Sequence, residues 1–340
     1  RQMKIPESSQ TLVFSKTSKQ TDLISPATPR AVYFSDDVYV GWVPGGLIEI
    51  AAADPKLGMV FHTMDPRGAR PGPPARDNTC LSCHASARTE RVPGVFVRSV
   101  YPDANGRPLL RHGGFDTTDR SPLAERWGGW YVTGRHGAAR HLGNALARDD
   151  DGSLVIDTEA NANLDTLAGK IDTTRYLRPD SDIVALLVLE HQCQVHNLIH
   201  RCSLDLARMR WMDSQIHPGE DPERADGPYR QMAGRCADEL VAAFLCSGGA
   251  VVGEGVEGSG GVGDGLELLL GNQGAFAERA VAIDLGLGGA ELDLDALEVG
   301  FGGAEAVLER ARVDFEQDVA LADILALLEV DLHQGAGHLG

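Results

Sequence analysis

Four short apolar runs set the first pattern along the chain: Ala31-Val32-Tyr33-Phe34, Val38-Tyr39-Val40-Gly41-Trp42-Val43, Leu47-Ile48-Glu49-Ile50 and Met59-Val60-Phe61. They are rich in β-branched and aromatic residues. Asp36-Asp37, Pro44-Gly45-Gly46 and Asp54-Pro55 separate them. Runs of this kind, broken by turn residues, predict a β-meander. Residues 1–30 are polar, with many Ser, Thr and Lys, and read as an extended arm. Pro66 to Pro74 is a loop rich in Pro, Gly and Arg. Val95 to Tyr101 and Trp130 to Thr133 predict further strands. Asp149-Asp150-Asp151-Gly152 lacks the remaining ligands of an EF-hand, so a hairpin turn before Leu154-Val155-Ile156 is the better reading.

The period changes near residue 181. Pro179 and Asp180 stop what precedes, Ser181 can cap, and helical spacing runs to about Met212. Pro222 to Pro228 breaks the chain, and Tyr229 to Cys246 predicts a second helix. At 100° per residue, Val184, Leu187, Val195, Leu198 and Met209 share one arc with His191 in its middle, while His196 lies about 140° away. His191 is therefore the histidine expected to face the core. The apolar run Ile183 to Leu189 is too short to span a bilayer.

Composition changes the picture at the end of the chain. The formal charge of the 340 residues is -18. From Val251 to Gly340 there are 8 Asp and 10 Glu against 3 Arg and no Lys, so nearly all of that charge sits there. This stretch also lacks Pro, Cys, Met, Thr, Trp and Tyr. Residues 247–340 read either as a separate acidic domain or poorly ordered tail, or as a frameshifted stretch of a GC-rich gene. Fading local structure signals favour the frameshift. Helices are expected within Ala304 to Leu332. Gly258-Ser259-Gly260-Gly261-Val262-Gly263, with Asp284 after Ala280-Val281-Ala282-Ile283, imitates a dinucleotide fingerprint. In so glycine-rich a context, without a βαβαβ succession, the match carries little weight. The rest of the chain is nearly neutral and has no basic stripe, which argues against nucleic acid.

The candidate chemistry lies in Cys80-Leu81-Ser82-Cys83-His84, the C-x-x-C-H attachment signature of c-type haem. Two thiols add to the haem vinyl groups, and the adjacent imidazole ligates the iron. A chance match in this chain is on the order of a few in a thousand. Three competing readings are half a zinc site, a thioredoxin-like redox pair and a small-loop disulfide. The first lacks a second pair of ligands, and the second lacks its βαβ setting. Only one C-x-x-C-H occurs, which disfavours a dihaem peroxidase.

The second axial ligand decides between electron transfer and chemistry at an open iron. His191 and His196 are the leading candidates, followed by His136, His141 or a Met. Met59 and Met64 rank low, and His62, His112 and His200 complete the field. Trp127-Gly128-Gly129-Trp130 reads as core rather than as packing on a porphyrin face. Arg98, Arg111, Arg126 and Arg135 are candidate partners for the haem propionates. Cys193, Cys202, Cys236 and Cys246 remain. Cys193 and Cys202 face opposite ways on one helix and cannot pair with each other.

Several longer motifs extend this reading. They are Ile24-Ser25-Pro26, Thr28-Pro29-Arg30, Asp36 to Trp42, Cys80 to His84, Val92-Pro93-Gly94 and Ser121-Pro122-Leu123. Glu125 to Gly134, His136-Gly137, His141, Glu190-His191-Gln192, Gln194, His196 and Asn197 complete the set. With these, Ser25 to Met212 resembles a group of uncharacterised bacterial proteins that carry a cytochrome c domain. The resemblance implies haem binding and electron transfer, with no established substrate. His136, His141, His191 and His196 match its pattern, whereas His62, Met64 and His200 do not. After about Ala233 the chain departs from it.

The expected architecture is α+β. A β-rich N-terminal part carries an inserted haem c segment, a long helix follows residue 180, and the C-terminal third is irregular, Gly-rich and acidic. Residues 1–30 form the arm, 31–246 the haem c domain and 247–340 the tail. The expected function is that of a monohaem c-type cytochrome transferring electrons by an outer-sphere route to a redox partner protein. The alternatives are a haem oxidoreductase with a displaceable distal ligand, or a non-haem protein whose C-x-x-C binds zinc or forms a disulfide. Haem attachment implies a periplasmic or other extracytoplasmic location. The chain opens on Arg1 and shows no signal peptide, which reads as a processed or truncated N-terminus.

Overall fold

The computed structural model describes residues 5–67, 72–159, 161–224 and 226–253. The described residues divide into two compact units, one within 5–201 and 239–253, the other within 202–238. The content is mixed α+β, with one large antiparallel sheet and two long helices.

The meander forms where the apolar runs place it. Its strands are β2 (Arg30–Phe34), β3 (Val38–Trp42), β4 (Ile48–Asp54) and β5 (Gly58–Met64). With β1 (Thr11–Val13), β6 (Ala75–Arg76) and β9 (Trp130–Tyr131) they make a seven-stranded sheet in the order β6-β5-β4-β3-β2-β1-β9. Two smaller hairpins join β7 (Val97–Val100) to β8 (Gly114–Thr117), and β10 (Ala147–Asp150) to β11 (Ser153–Ile156). Asp151 and Gly152 turn the second hairpin with φ of 50° and 93°, the left-handed pair that a tight Asp-Gly turn requires.

Within the expected extended arm of residues 1–30, the described Thr11–Val13 is instead a strand of the sheet. β1 pairs with β2 through Leu12↔Ala31 and with β9 through Leu12↔Tyr131, and Leu12 is fully buried. Three strand residues among Ser, Thr and Lys are too few to show an alternation. Their burial comes from the neighbouring strands, the kind of context that outweighs intrinsic β-propensity.

Successive strand residues point to opposite faces of the sheet. Val32, Phe34, Tyr39, Ala51, Met59 and Phe61 enter one core with the start of α2 (Ile183–Ile216). Half-buried Cys80 and Leu81 pack against that same core. Ala31 and Tyr33 face the other way, into a core with Leu12, Phe14, Tyr131, Leu167 and Tyr176. Trp127 and Trp130 are core residues, as the sequence suggests. Trp127 has φ of 63°, and a Cβ on Gly128 would lie 2.1 Å from the Val100 carbonyl oxygen, so the Trp-Gly-Gly-Trp turn is fixed by its backbone path.

Asp182, not Ser181, caps α2. Its Oδ1 accepts from the Val184 and Ala185 N–H groups, while Ser181 Oγ donates to the Tyr131 carbonyl. Between Ile183 and Asn197 every residue except Gln194 is buried. A helix enclosed on all sides has no outward arc. Helical phase therefore does not separate His191 from His196, and both are buried.

In the unit holding residues 202–238, Cys202 bonds to Cys236, so the partner of Cys202 is not Cys193, which is a buried free thiol. Leu206, Tyr229, Ala233 and Ala237 pack around the disulfide. The second helix is α3 (Pro228–Gly253), which opens on Pro228, as suits a first helical turn. No described helix is long and apolar enough to cross a membrane. The Gly258–Gly263 motif, Asp284 and the helices expected within 304–332 lie outside the described residues, as does the tail beyond residue 253.

Candidate haem c site

The C-x-x-C-H segment is a short helical corner against the sheet. Asp77 starts it by accepting the Thr79 N–H at 3.0 Å, a 3-10 turn covers Asn78–Cys80, and α1 (Leu81–His84) completes one α-turn. Lys19 clamps the entry, donating to Asp77 Oδ2 at 2.6 Å and to Thr79 Oγ1 at 2.8 Å. The Lys19 ammonium holds the Asp77 carboxyl at about 2, well below the usual range. Cys80 is half-buried and Cys83 exposed, both as free thiols. Burial, with Asp77 nearby, pushes the Cys80 thiol up.

His84 is the most constrained residue of the segment. Its ring lies between Phe61 and Phe96, with centroids 4.8 and 5.0 Å away. Nδ1 lies 2.9 Å from the Gly94 carbonyl oxygen, and the Gly94 N–H donates to the His84 carbonyl at 2.8 Å. Since a carbonyl only accepts, Nδ1 carries the proton and the lone pair sits on Nε2. Among the described residues Nε2 has no hydrogen-bond partner. Burial, the dominant influence, pushes the imidazole pKa down and favours the neutral ring.

A metal-ligating histidine usually donates its other N–H to a carbonyl or carboxylate, which sets tautomer and ring orientation. His84 meets that condition, with two thiols one and four residues before it. The residues present fit a covalent haem held by Cys80 and Cys83 with His84 on the iron. Among the described residues, no three His, Cys, Asp or Glu side chains converge as a metal ligand set.

Gly94 is held in turn by Asn197 of α2. Asn197 Oδ1 accepts the Val95 N–H at 3.0 Å and its Nδ2 donates to the Val95 carbonyl at 2.7 Å. A Cβ on Gly94 would stand 2.1 Å from Asn197 Oδ1, so the close approach requires glycine. Asn197→Ala removes the partners of two buried backbone groups. It is expected to lower unfolding stability by about 1–3 kcal/mol, measured by urea titration.

Four of the other candidate ligands, His136, His141, His191 and His196, have protein partners at Nδ1. His191 Nδ1 lies 3.0 Å from Asp119 Oδ2, and His196 Nδ1 lies 3.0 Å from the Tyr39 hydroxyl. His136 uses both ring nitrogens, with Nδ1 donating to the Ala139 carbonyl and Nε2 accepting from Asn163 N–H. His141 Nδ1 accepts from Gly143 N–H, and its ring packs edge-on to Trp127 and His136. Within the described residues, the ring contacts of His84 are Phe61 and Phe96, and none of these four histidines is among them.

The string Glu190, His191, Gln192, His196 and Asn197 ties α2 to its surroundings. Glu190 accepts from Thr117 and Arg126, and Gln192 donates to the carbonyls of Ser35 and Asp36. Of the four propionate candidates, Arg126 is buried on Glu190, Arg111 pairs with Asp149, and Arg135 with Asp165. Arg98 alone of the four has no ion pair among the described residues.

Three features at the site had no role assigned from sequence. They are the Gly94 carbonyl and the Arg30–Glu49 pair (2.7 Å), of which Gly94 and Arg30 stood only in longer motifs, and the Lys19 clamp; the Arg30 and Glu49 charges both act on His84. Gly41 makes room for that pair, since a Cβ there would meet the Arg30 guanidinium at 1.9 Å. The bare glycine in an aromatic strand was the available signal. Comparison with known proteins gives no matching family model, no matching curated protein and no matching solved structure.

Proposed function

We propose that this protein is a monohaem c-type cytochrome that passes electrons by an outer-sphere route to a redox partner protein outside the cytoplasm. The observation that carries the reading is the His84 ring, with Nδ1–H fixed on the Gly94 carbonyl and Nε2 without a hydrogen-bond partner among the described residues. Iron in such a haem supplies one-electron redox chemistry, tuned by its axial ligands, nearby hydrogen bonds and burial. The chain's own part is orientation and environment. Gly94 and Asn197 hold the imidazole, Phe61 and Phe96 wall it in, and Arg30 with Glu49 sets the local charge. The Cys202–Cys236 disulfide supports an oxidising compartment, where such bonds persist.

The test is expression with a functioning cytochrome c maturation system. A pyridine-haemochrome spectrum and intact mass are expected to show one covalent haem per chain. The Cys80→Ala/Cys83→Ala variant is expected to lose it entirely. Exported wild-type protein whose mass shows both thiols free would sink the reading. Stoichiometric zinc in that material would point to the metal-binding alternative.

A further inference from the structure

The loop at residues 16–22 and strand β7 enclose a recess of about 550 Å³, lined by Lys16, Ser18, Asp22, Arg98, Arg107 and Leu110 among others. Its charge is unbalanced, with three cations against one carboxylate. Neither Arg98 nor Arg107 makes a side-chain hydrogen bond or ion pair among the described residues. Ser18 Oγ is buried there without a hydrogen-bond partner. Guanidinium groups are suited to carboxylates, which they engage with two parallel N–H···O bonds.

The recess is tied to the haem segment from two sides. Phe96, which packs on the His84 ring, lies two residues before Arg98. The outward side of the β7–β8 hairpin gathers both residues. Arg98 stands opposite Asp116 in the strand register, Asp116 is bridged to Arg88, and Arg88 lies 6.0 Å over the Phe96 ring. Val97 between them points into the core. At the strand rise, Arg98 follows Phe96 by about 7 Å, and its long side chain extends the reach. From the other side, Lys19 of the same loop holds Asp77 and Thr79 directly before Cys80.

We propose that this recess receives the propionate carboxylates of the haem, with Arg98 and Arg107 as their partners and Lys16 and Ser18 as further donors. The proposal rests on the cytochrome reading. A haem fixed by its vinyl edge at Cys80 and Cys83 carries two carboxylates elsewhere on its rim, and these need cations when partly withdrawn from water. Two guanidiniums without an ion pair among the described residues, one of them two residues along the strand from Phe96, answer that need.

The test uses the haem-loaded protein and its Arg98→Gln/Arg107→Gln variant. Both are expected to retain one covalent haem by mass and haemochrome spectrum. Losing two cations beside the propionates favours the oxidised, more positive haem. The oxidised-to-reduced ratio at fixed potential is expected to rise about tenfold, equivalent to about 59 mV for one electron. Arg111→Gln, which removes an arginine paired with Asp149, is expected to leave the potential unchanged. Citrate titrated calorimetrically into the loaded wild type is expected to show no saturable binding, because the recess is filled. An unchanged potential in the double variant overturns the proposal. Citrate binding by wild type that the double variant loses, with no change in potential, would assign the recess to free carboxylates instead. A wild type without covalent haem fails at the spectrum, which separates failure of the cytochrome reading from failure of this one.

Discussion

Replacing Arg126 by Met is expected to cost about 3–5 kcal/mol of unfolding free energy at pH 8, the range found when one partner of a buried ion pair is removed. Arg126 is 4% exposed and Glu190 is 0% exposed. The guanidinium spends its donors on four bonds. Nε and Nη2 both reach the Ser121 carbonyl, Nη2 also reaches that of Asp119, and Nη1 reaches Glu190 Oε2 at 3.1 Å. Methionine fills the volume but leaves two carbonyls and a carboxylate without this donor.

The loss depends on pH. Burial outweighs Arg126 and Thr117 and pushes the Glu190 carboxyl up from 4.5 to about 7. A carboxyl raised in this way keeps its proton in the native state after the unfolded chain has released it. This group's contribution is therefore fully present below about pH 4.5 and declines as pH rises to about 7. At pH 5 the variant holds Glu190 neutral and loses less than at pH 8. Glu190→Gln is expected to flatten the wild-type decline across that window. Urea titrations at both pH values check this, and an equal loss at each would contradict it.

What could be read from sequence follows from how locally each feature is encoded. The meander was legible because β-branched and aromatic runs with turn residues between them encode strands within a few residues. The C-x-x-C-H motif stood out as a motif because it sets two Cys and a His at a fixed spacing within five positions. β1 was not legible, because three residues acquire their burial from strands far along the chain. Gly94 stood in a motif but its role was not legible, because it acts through a backbone carbonyl that every residue possesses. Helical phase misled for α2, since an all-round buried helix places polar residues on every side and satisfies each separately. Of the Glu190–Asn197 string, sequence singled out His191 and His196 as candidate ligands; in the fold its side chains also bond Arg126, Asp119, Ser35, Tyr39 and Val95. The cysteine pairing also depended on three dimensions, since helical phase excluded one pair and left the other combinations open.

That pairing carries the second large effect. Cys202 and Cys236 are separated by 34 residues along the chain, and a cross-link over a loop of this length restricts the unfolded chain by about 3–4 kcal/mol in the chain-entropy account. Around it, the core that includes Leu206, Tyr229, Ala233 and Ala237 is small, so few other contacts offset the loss. Cys202→Ser/Cys236→Ser is expected to lower stability by about that amount within residues 202–238. Hydrogen exchange should accelerate there, while the amides of β2 to β5 change little. Cys193 is inert by contrast, because burial pushes its thiol far up and keeps it protonated. Thiol labelling of the unfolded wild type under non-reducing conditions should therefore miss Cys202 and Cys236. Material from a reducing compartment should label both, show the fast exchange of the double variant, and regain protection on oxidation. If reduced and oxidised proteins exchange alike, the disulfide contributes no stability, and its support for an oxidising location is withdrawn.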